Sequence, residues 1–383
     1  MGKVNVSSID LAQWRLYLIL LLRYLNRLAY RKTMDSHDLV LNWRGGVVEN
    51  SHIVHAAIVD SDNNLLFSLG DPNRLTLARS AAKPFQALAI LETGAAEKFN
   101  LDEADVALMC GSHNSENKHV SRVTLMLDKA GVSEENMNCG GHPALSKTIN
   151  NGWIKTGFAP TAIYSNCSAK HVGMLAAAKS LDAGIENYHD PAHPVQAEIK
   201  RVHEDLSKLK PEKIYWVIDG CNAPSPALPL SNMALMYAAL AHAADQEKPT
   251  NKSIQNQARI FKAMATHPEM IGGDSRFCTD LMRAFSGTLV GKLGAEGCYG
   301  IGVRDCESTR RLGAKNGLGI AIKIEDGNID TLYVALMEVL TRLDIGTEDV
   351  RESLKTTHCT MPKNTMGVVT GHTSFKMDLK QCS

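Results

Sequence analysis

The sequence predicts an α+β fold in which an antiparallel sheet, flanked by helices, carries an inserted helical subdomain. A hairpin signal precedes most of the predicted helices, and glycine-rich strands follow them. The 383 residues contain no internal repeat and no low-complexity linker. One compact unit is therefore a more economical prediction than two independent domains.

The first sheet signal begins after Val40. Arg44-Gly45-Gly46 is typical of a turn, and residues 51–60 have the β-branched content of a strand. A polar connection at 60–64 then leads into the apolar residues 65–70. This pattern predicts an antiparallel hairpin.

Helical periodicity fills the middle of the chain, and sheet signals return after it. The helices are predicted at 80–93, 119–130, 169–180, 194–209, 230–244, 256–267 and 279–284. A buried strand is expected at 214–218, and glycine-rich strands at 288–324 with a turn at Glu296-Gly297. A second turn at 325–328 precedes a last helix at 329–343.

Composition excludes some classes of protein. The chain has 41 lysine and arginine residues and 41 aspartate and glutamate residues. It therefore has no excess of positive charge with which to bind the phosphate backbone of a nucleic acid. The nine cysteines are odd in number and scattered along the chain. Such a pattern favours reduced thiols and a cytoplasmic location over a disulfide framework.

Residues 1–39 differ from the rest as a cationic, apolar extension. Its uninterrupted apolar run, residues 16–22, is far shorter than the roughly 20 residues that a bilayer span needs. No membrane span is predicted. An interfacial helix, an organellar targeting arm and a helix packed on the body or on a partner subunit all stay open.

A serine and a lysine three residues apart open the first predicted helix. On a helix Ser80 and Lys83 share one face, so the amine is expected to reach the hydroxyl. Ser80 is a natural N-cap, and Pro84 is tolerated only in a first turn. At a helix N-terminus the unpaired N–H groups favour a developing oxyanion.

The spacing alone is a weak signal, because Ser-x-x-Lys occurs three times. Ser207 and Lys210 lie in a charged amphipathic stretch, and Ser115 and Lys118 lie in a polar segment. Only the pair at 80 and 83 precedes an apolar helix that would bury the lysine. Burial lowers the pKa of a lysine and lets it act as a base.

Other chemistry-bearing residues lie at predicted loop and strand boundaries. Ser112 follows the apolar residues 106–109, interpreted as a strand or a buried turn, and Lys292 lies in a glycine-rich strand. Cysteine, lysine and histidine meet at 167–171, and Asp219 and Cys221 follow the strand at 214–218. Taken singly, Ser112 is interpreted as an ordinary loop serine, Lys292 as a solvated lysine and the cysteines as buried thiols. A zinc ion held by the thiols is the alternative.

Taken together, six segments resemble the L-asparaginase II family of the Rhizobium type. They are Arg44-Gly45-Gly46-Val47-Val48-Glu49, Arg79-Ser80-Ala81-Ala82-Lys83-Pro84-Phe85-Gln86, Cys110-Gly111-Ser112-His113, Asn166-Cys167-Ser168-Ala169-Lys170-His171, Asp219-Gly220-Cys221 and Gly291-Lys292-Leu293-Gly294-Ala295-Glu296-Gly297. The resemblance implies a catalytic domain over residues 40–378 and a fold like that of serine β-lactamases and penicillin-binding proteins. It also implies a homodimer.

The resemblance implies the site residues as well. Two catalytic pairs are expected, Ser80 with Lys83 and Ser112 with Lys292. A zinc site would be formed by Cys167, Lys170 and Cys221, and Arg79, His171 and Asp219 would bind substrate or support the residues that do.

The activity that the resemblance implies is hydrolysis of L-asparagine through an acyl-enzyme, in which Ser80 attacks and Lys83 takes its proton. The second pair would relay protons, and which serine attacks stays open. A glutaminase or β-lactamase-like hydrolase is the first alternative. The second is a non-catalytic zinc-containing binding protein.

Overall fold

A computed structural model of the chain describes residues 38–249, 251–355, 358 and 360–382. The predicted extension therefore lies outside the described residues except for its last two positions. Among the described residues, no helix has the length and apolar content that crossing a bilayer requires.

The main sheet contains eight antiparallel strands. They are β1 (Leu39–Arg44), β2 (Val47–Asp60), β3 (Leu65–Leu69), β7 (Leu289–Gly294), β8 (Cys298–Val303), β9 (Leu318–Ile324), β10 (Gly371–Lys376) and β11 (Lys380–Gln381). Their order is β10-β1-β2-β9-β8-β7, and β3 pairs with both β2 and β11. The 14-residue strand β2 is long enough to pair with β1 along its first half and with β3 and β9 along its second. The predicted hairpin is confirmed as β2 and β3.

A second, three-stranded sheet has the order β4-β6-β5. Its strands are β4 (Leu75–Leu77), β5 (Tyr215–Ile218) and β6 (Pro224–Pro229). The prediction of a buried strand at 214–218 is therefore wrong about burial. β5 is an edge strand, and Tyr215, Val217 and Ile218 are exposed although they are apolar.

Fourteen helices accompany the two sheets in the described part of the chain. They are α1 (Lys83–Glu92), α2 (Ala95–Lys98), α3 (Glu103–Met109), α4 (Asn117–Ala130), α5 (Lys147–Thr156), α6 (Ser168–Ser180), α7 (Pro194–Ser207), α8 (Leu230–Ala244), α9 (Lys252–Thr266), α10 (Pro268–Ile271), α11 (Phe277–Ala284), α12 (Glu307–Arg311), α13 (Ile329–Arg342) and α14 (Glu348–Ser353). Eleven of them lie between β3 and β7, so the α+β class and the inserted helices are confirmed. The relation to serine β-lactamases stays a prediction.

Residues 106–109 are helical, so their interpretation as a strand or a buried turn is wrong. They form the end of α3, whose first turn is closed by reciprocal hydrogen bonds between Asp102 and Asp105. The apolar run is too short to distinguish a buried strand from a buried helix by periodicity. The decisive signal is the acidic cap at its N-terminus.

Helix α8 links the core of the sheet to the segment that carries Ser80. The ring of Tyr237 lies so close to Gly300 of β8 that a Cβ there would come within 2.0 Å of it. The Tyr237 hydroxyl donates a 2.7 Å hydrogen bond to the carbonyl of Ala81. The packing of α8 on the sheet therefore fixes the position of the residues next to Ser80.

We expect Gly300→Ala to lower the free energy of unfolding by about 3 kcal/mol, the upper end of the usual cost of overpacking a core. The added methyl group must displace Tyr237 and with it the hydrogen bond to Ala81, next to Ser80. Thermal melts measure the loss of stability. Gly152→Ala on α5 is the control, because a Cβ at Gly152 meets no atom within 4 Å. A Gly300→Ala melt equal to that of the control would contradict the expectation.

Candidate active site

Ser80 lies in a tight turn immediately before α1. Residues Arg79–Ala82 form a single turn of 3-10 helix, and Ala82, not Ser80, occupies the N-cap position of α1. The N-cap prediction for Ser80 is therefore wrong. Arg79 has a positive φ of 49°, and this left-handed residue turns the chain before the α-helix begins. Pro84 lies in the first turn of α1, as predicted.

The amine of Lys83 is buried and donates three hydrogen bonds. Its acceptors are the carbonyl oxygens of Gly111 and Asn166 and the hydroxyl of Ser112. Three acceptors satisfy the three N–H donors of an ammonium group. The expected hydrogen bond from Lys83 to Ser80 is not found among the described residues. The lysine side chain extends instead toward the loop after α3.

Ser112 is held between two lysines. Its Oγ lies 3.0 Å from the Nζ of Lys83 and 3.0 Å from the Nζ of Lys292, which β7 supplies. A backbone hydrogen bond of 2.8 Å from Ser112 to Ile271 fixes the loop. Gly111 allows this close approach, since a Cβ there would lie 2.4 Å from the Met270 carbonyl. The structure thus brings the predicted pair of Ser112 and Lys292 into contact.

Lys292 has an unusual protonation equilibrium. Burial lowers the pKa of its amine to about 7; the thiol of Cys278 opposes this shift, and the charges of Lys83 and Arg276 increase it. A lysine with this pKa is partly neutral near neutral pH. Lys292 can therefore accept a proton from Ser112, which an ordinary surface lysine cannot do.

Ser80 opens onto a polar cavity of about 310 Å³. The cavity is lined by Arg79, Ser80, Gly140, Gly141, His142, Ser165, Asn166, Cys167, Asp219, Gly220, Cys221 and Ala295. Ser112 does not line this cavity and is almost fully buried. Among the described residues no side chain is hydrogen-bonded to the Ser80 hydroxyl, which leaves its oxygen available to a ligand.

A charged pair closes one side of the cavity. The Nε of Arg79 lies 2.6 Å from a carboxylate oxygen of Asp219, which also accepts a hydrogen bond from Gly220. Arg79 follows β4 and Asp219 follows β5, so the small sheet brings the two together. Their remaining polar atoms can bind a carboxylate and an ammonium group of a ligand.

His171 is buried and does not line the cavity. Its Nδ1 lies 2.6 Å from the hydroxyl of Tyr188, and Tyr188 also accepts a hydrogen bond from the backbone of Asn138. These contacts place His171 behind the cavity wall. His171 does not reach the cavity in this arrangement, and its supporting role stays a prediction.

Cys167, Lys170 and Cys221 form a cluster whose two cysteines line the cavity. The amine of Lys170 donates a 3.2 Å hydrogen bond to the sulfur of Cys221, and the Cys167 thiol donates a 2.9 Å hydrogen bond to Oδ1 of Asn166. The neighbouring Cys167 side chain and the Lys170 charge hold the pKa of Cys221 well below its usual range. The Cys221 side chain and burial raise the pKa of Cys167. Cys221 therefore ionises more readily than Cys167.

The donor set of this cluster fits zinc. Thiolates are preferred zinc ligands, and a bound cation would release the protons that Cys167 and Lys170 now carry. The Nε2 of His171 is buried without a hydrogen-bond partner among the described residues, and its ring interacts with Cys221. No group of three or more histidine, cysteine or acidic side chains that could hold a metal occurs in the described part of the chain. A zinc site here would therefore depend on Lys170 as a ligand, and it stays a prediction.

The structure adds two residues to the site that the sequence analysis did not assign a role. The carbonyl of Asn166 accepts a hydrogen bond from Lys83, and its backbone N–H donates to Nε2 of His142 at 3.0 Å. Both residues line the cavity. Gly140 and Gly141 precede His142, and two glycines in a row are the sequence signal that the backbone passes close to another group at this point.

The fold and the site define an α+β protein with a serine–lysine cluster behind a small polar cavity. A family model described as L-asparaginase II matches residues 40–375, and the chain belongs to this family. The match includes every site residue named above and excludes residues 1–39. No match to a curated protein was found.

Proposed function

We propose that this protein is an amidohydrolase that converts L-asparagine and water to L-aspartate and ammonia. The observation that carries the proposal is the position of Ser80, which faces the cavity in front of the buried cluster of Ser112 and two lysines. Membership of the L-asparaginase II family supports the same reaction class.

The cavity suits a small amino acid. Arg79 would bind the α-carboxylate of the substrate, and Asp219 its α-ammonium group, because each offers the complementary charge. The side-chain carboxamide would then point toward Ser80. A volume of about 310 Å³ lies at the lower end of the range for small-molecule pockets and admits a free amino acid.

The hydrogen bonds of Ser112 support a proton relay that prepares the nucleophile. The Lys83 ammonium donates one proton to Ser112 while the Ser112 hydroxyl gives its own proton to neutral Lys292. Lys83 is then neutral and Lys292 is charged. Rotation of the Lys83 amine toward Ser80, one turn away, lets it take the Ser80 proton.

The deprotonated oxygen of Ser80 attacks the carboxamide carbon of the substrate. The oxyanion forms beside the N-terminus of α1, whose dipole stabilises negative charge. Lys83 returns the proton to the leaving nitrogen, so ammonia departs and an aspartyl ester remains. Water then attacks the ester and loses a proton to Lys83, which passes it to the Ser80 oxygen as L-aspartate leaves.

Cys167, Lys170 and Cys221 would hold a zinc ion, which supplies a fixed positive charge beside the cavity. Through Cys167 and Cys221, both of which line the cavity, ordering of this cluster would shape the wall that receives substrate. The cluster is separate from the relay of Ser112. We therefore assign it a role in substrate affinity.

We expect Cys221→Ser to lose bound metal and to raise KM for asparagine, while measurable turnover survives. Metal content by atomic emission and steady-state kinetics measure the two effects. Cys382→Ser is the matched control, since Cys382 lies at the C-terminal end of the described chain away from the cavity. Complete loss of turnover in a folded, metal-free protein would indicate that the metal generates the attacking hydroxide.

Ammonia release from L-asparagine, with L-glutamine and a chromogenic lactam as comparisons, tests the proposed reaction. Turnover of asparagine alone supports the asparaginase assignment. Turnover of glutamine or of the lactam would indicate one of the other hydrolases. Zinc binding without turnover of any of the three would indicate a binding protein.

A cytoplasmic homodimer remains part of the proposal and is tested by molecular mass in solution and by cell fractionation.

A further inference from the structure

The small sheet presents an apolar face to solvent. Leu77 and Tyr215 are both paired with Ala227 of β6, so their side chains point to the same side of the sheet. Leu75 and Val217 lie two positions along their strands and therefore share that side. Their exposures are 48% for Leu75, 40% for Leu77, 59% for Tyr215 and 40% for Val217. We call these four residues the outer face.

The outer face has the shape of a shallow trough. The middle strand contributes Ser225, Ala227 and, at its end, Pro229 to it. Ser225 and Ala227 are nearly buried between the larger side chains of the edge strands. The edge strands β4 and β5 lie two strand spacings apart, about 10 Å, which is close to the diameter of an α-helix. Six residues of β6 extend about 20 Å, the length of a helix of roughly 14 residues.

The described chain begins beside this sheet. The carboxylate of Asp38 accepts a 2.8 Å hydrogen bond from the backbone of Gly70. Gly70 precedes Leu75 by five residues, a distance of at most about 18 Å. Residues 29–37 can span about 30 Å when extended. A segment that ends at residue 28 can therefore reach the outer face.

Residues 14–28 have the composition to cover the outer face as a helix. At about 100° per residue, Arg15, Arg23 and Arg27 fall within a sector of about 120°. The opposite side is free of charge and carries five apolar residues within about 80° of one another: Trp14, Leu18, Leu21, Leu25 and Leu28. Leu16 and Ile19 fall among the arginines, so the segment is apolar over most of its circumference and charged on one side only. Such a helix can bury its uncharged side on a sheet and keep its arginines in water.

We propose that residues 14–28 dock as a helix in the trough of the outer face, with the arginines turned outward. This explains why the chain has an apolar segment outside the family match together with an apolar sheet face that the described residues leave exposed. The small sheet also supplies Arg79 and Asp219 at one end, so the docked helix braces the cavity wall. The chemistry itself does not require the helix.

The test is a cycle of four proteins: the full chain and a chain beginning at His37, each with and without Leu77→Glu plus Val217→Glu. In the full chain the two glutamates displace the helix and lower Tm. In the shortened chain they face water and change Tm little. Ile154→Glu is the control, because Ile154 is 70% exposed on α5, outside the small sheet, and its effect should not depend on chain length.

Equal Tm shifts in both lengths would overturn the proposal. Hydrogen exchange gives a second measurement: the amides of β4 and β5 should exchange faster in the shortened chain. Unchanged exchange would also overturn it.

A fall in molecular mass caused by the glutamates in both lengths would show that a second copy covers the face. Binding of the full chain to anionic vesicles with unchanged exchange would assign the segment to a membrane surface. Asparagine turnover should survive the truncation.

Discussion

Ser80→Ala is expected to lower kcat for ammonia release from asparagine by about 10³-fold or more, the scale seen when one member of a nucleophile–base unit is lost. The reason is that Ser80 is the serine that opens onto the cavity, whereas Ser112 is buried behind it. Lys83→Arg should be nearly as inactive, because a guanidinium keeps its proton in a protein. The double variant should cost little more than either single change.

Steady-state rates of the two single variants and the double variant measure this effect, with thermal melts to confirm folding. Lys210→Arg is the matched control, because Lys210 has the same spacing from a serine but is exposed. Near wild-type turnover by Ser80→Ala would make Ser112 the nucleophile, since both lysines already contact its hydroxyl. Near wild-type turnover by Lys83→Arg would transfer the role of base to Lys292.

The second large effect concerns Lys292 and pH. The relay needs neutral Lys292, and its amine is protonated below its pKa of about 7. The rate should therefore fall as pH decreases through 7, by about tenfold for each further unit. Lys292→Arg stays protonated at every working pH and should lose activity to a similar degree as Ser80→Ala.

A pH profile of kcat/KM measures the first part, and the kinetics of Lys292→Arg measure the second. Lys323→Arg is a suitable control, because Lys323 is also a largely buried lysine of the same sheet but binds only the carbonyls of Glu296 and Ile324. A rate that is flat between pH 5 and pH 7 would remove neutral Lys292 from the mechanism.

The main sheet was predictable where its signals are local. Periodicity identified the hairpin of β2 and β3, the long helix α8 and the last long helix α13. The strand β1 was missed although it pairs with β2 across the predicted turn at Gly45-Gly46. The strand β10 was not predicted, because it pairs with β1 at the other end of the chain. Pairing over that separation leaves no local signal. The exposed strand β5 was misjudged for a related reason, since its apolar composition alone does not reveal an edge.

The site shows a similar limit. The residues of the two serine–lysine pairs were identified, but the pairing of Lys83 with Ser112 was not, because spacing on an ideal helix favoured Ser80. The Lys83 side chain extends instead to Gly111, Ser112 and Asn166, which lie 28, 29 and 83 positions further along the chain and leave no signal in local spacing. The position of His171 behind the wall depends on its hydrogen bond to Tyr188. A contact between two side chains 17 positions apart cannot be deduced from one sequence.

The two lysines that contact Ser112 lie on opposite sides of it in the sequence, Lys83 29 positions before it and Lys292 180 positions after it. Lys292 lies on the edge strand β7, which joins the sheet through β8, and β8 in turn pairs with β9. During synthesis, a ribosome must therefore release most of the polypeptide before the proposed relay can form. Until Lys292 is buried it keeps the pKa of an ordinary lysine, and it cannot accept the proton of Ser112 near neutral pH.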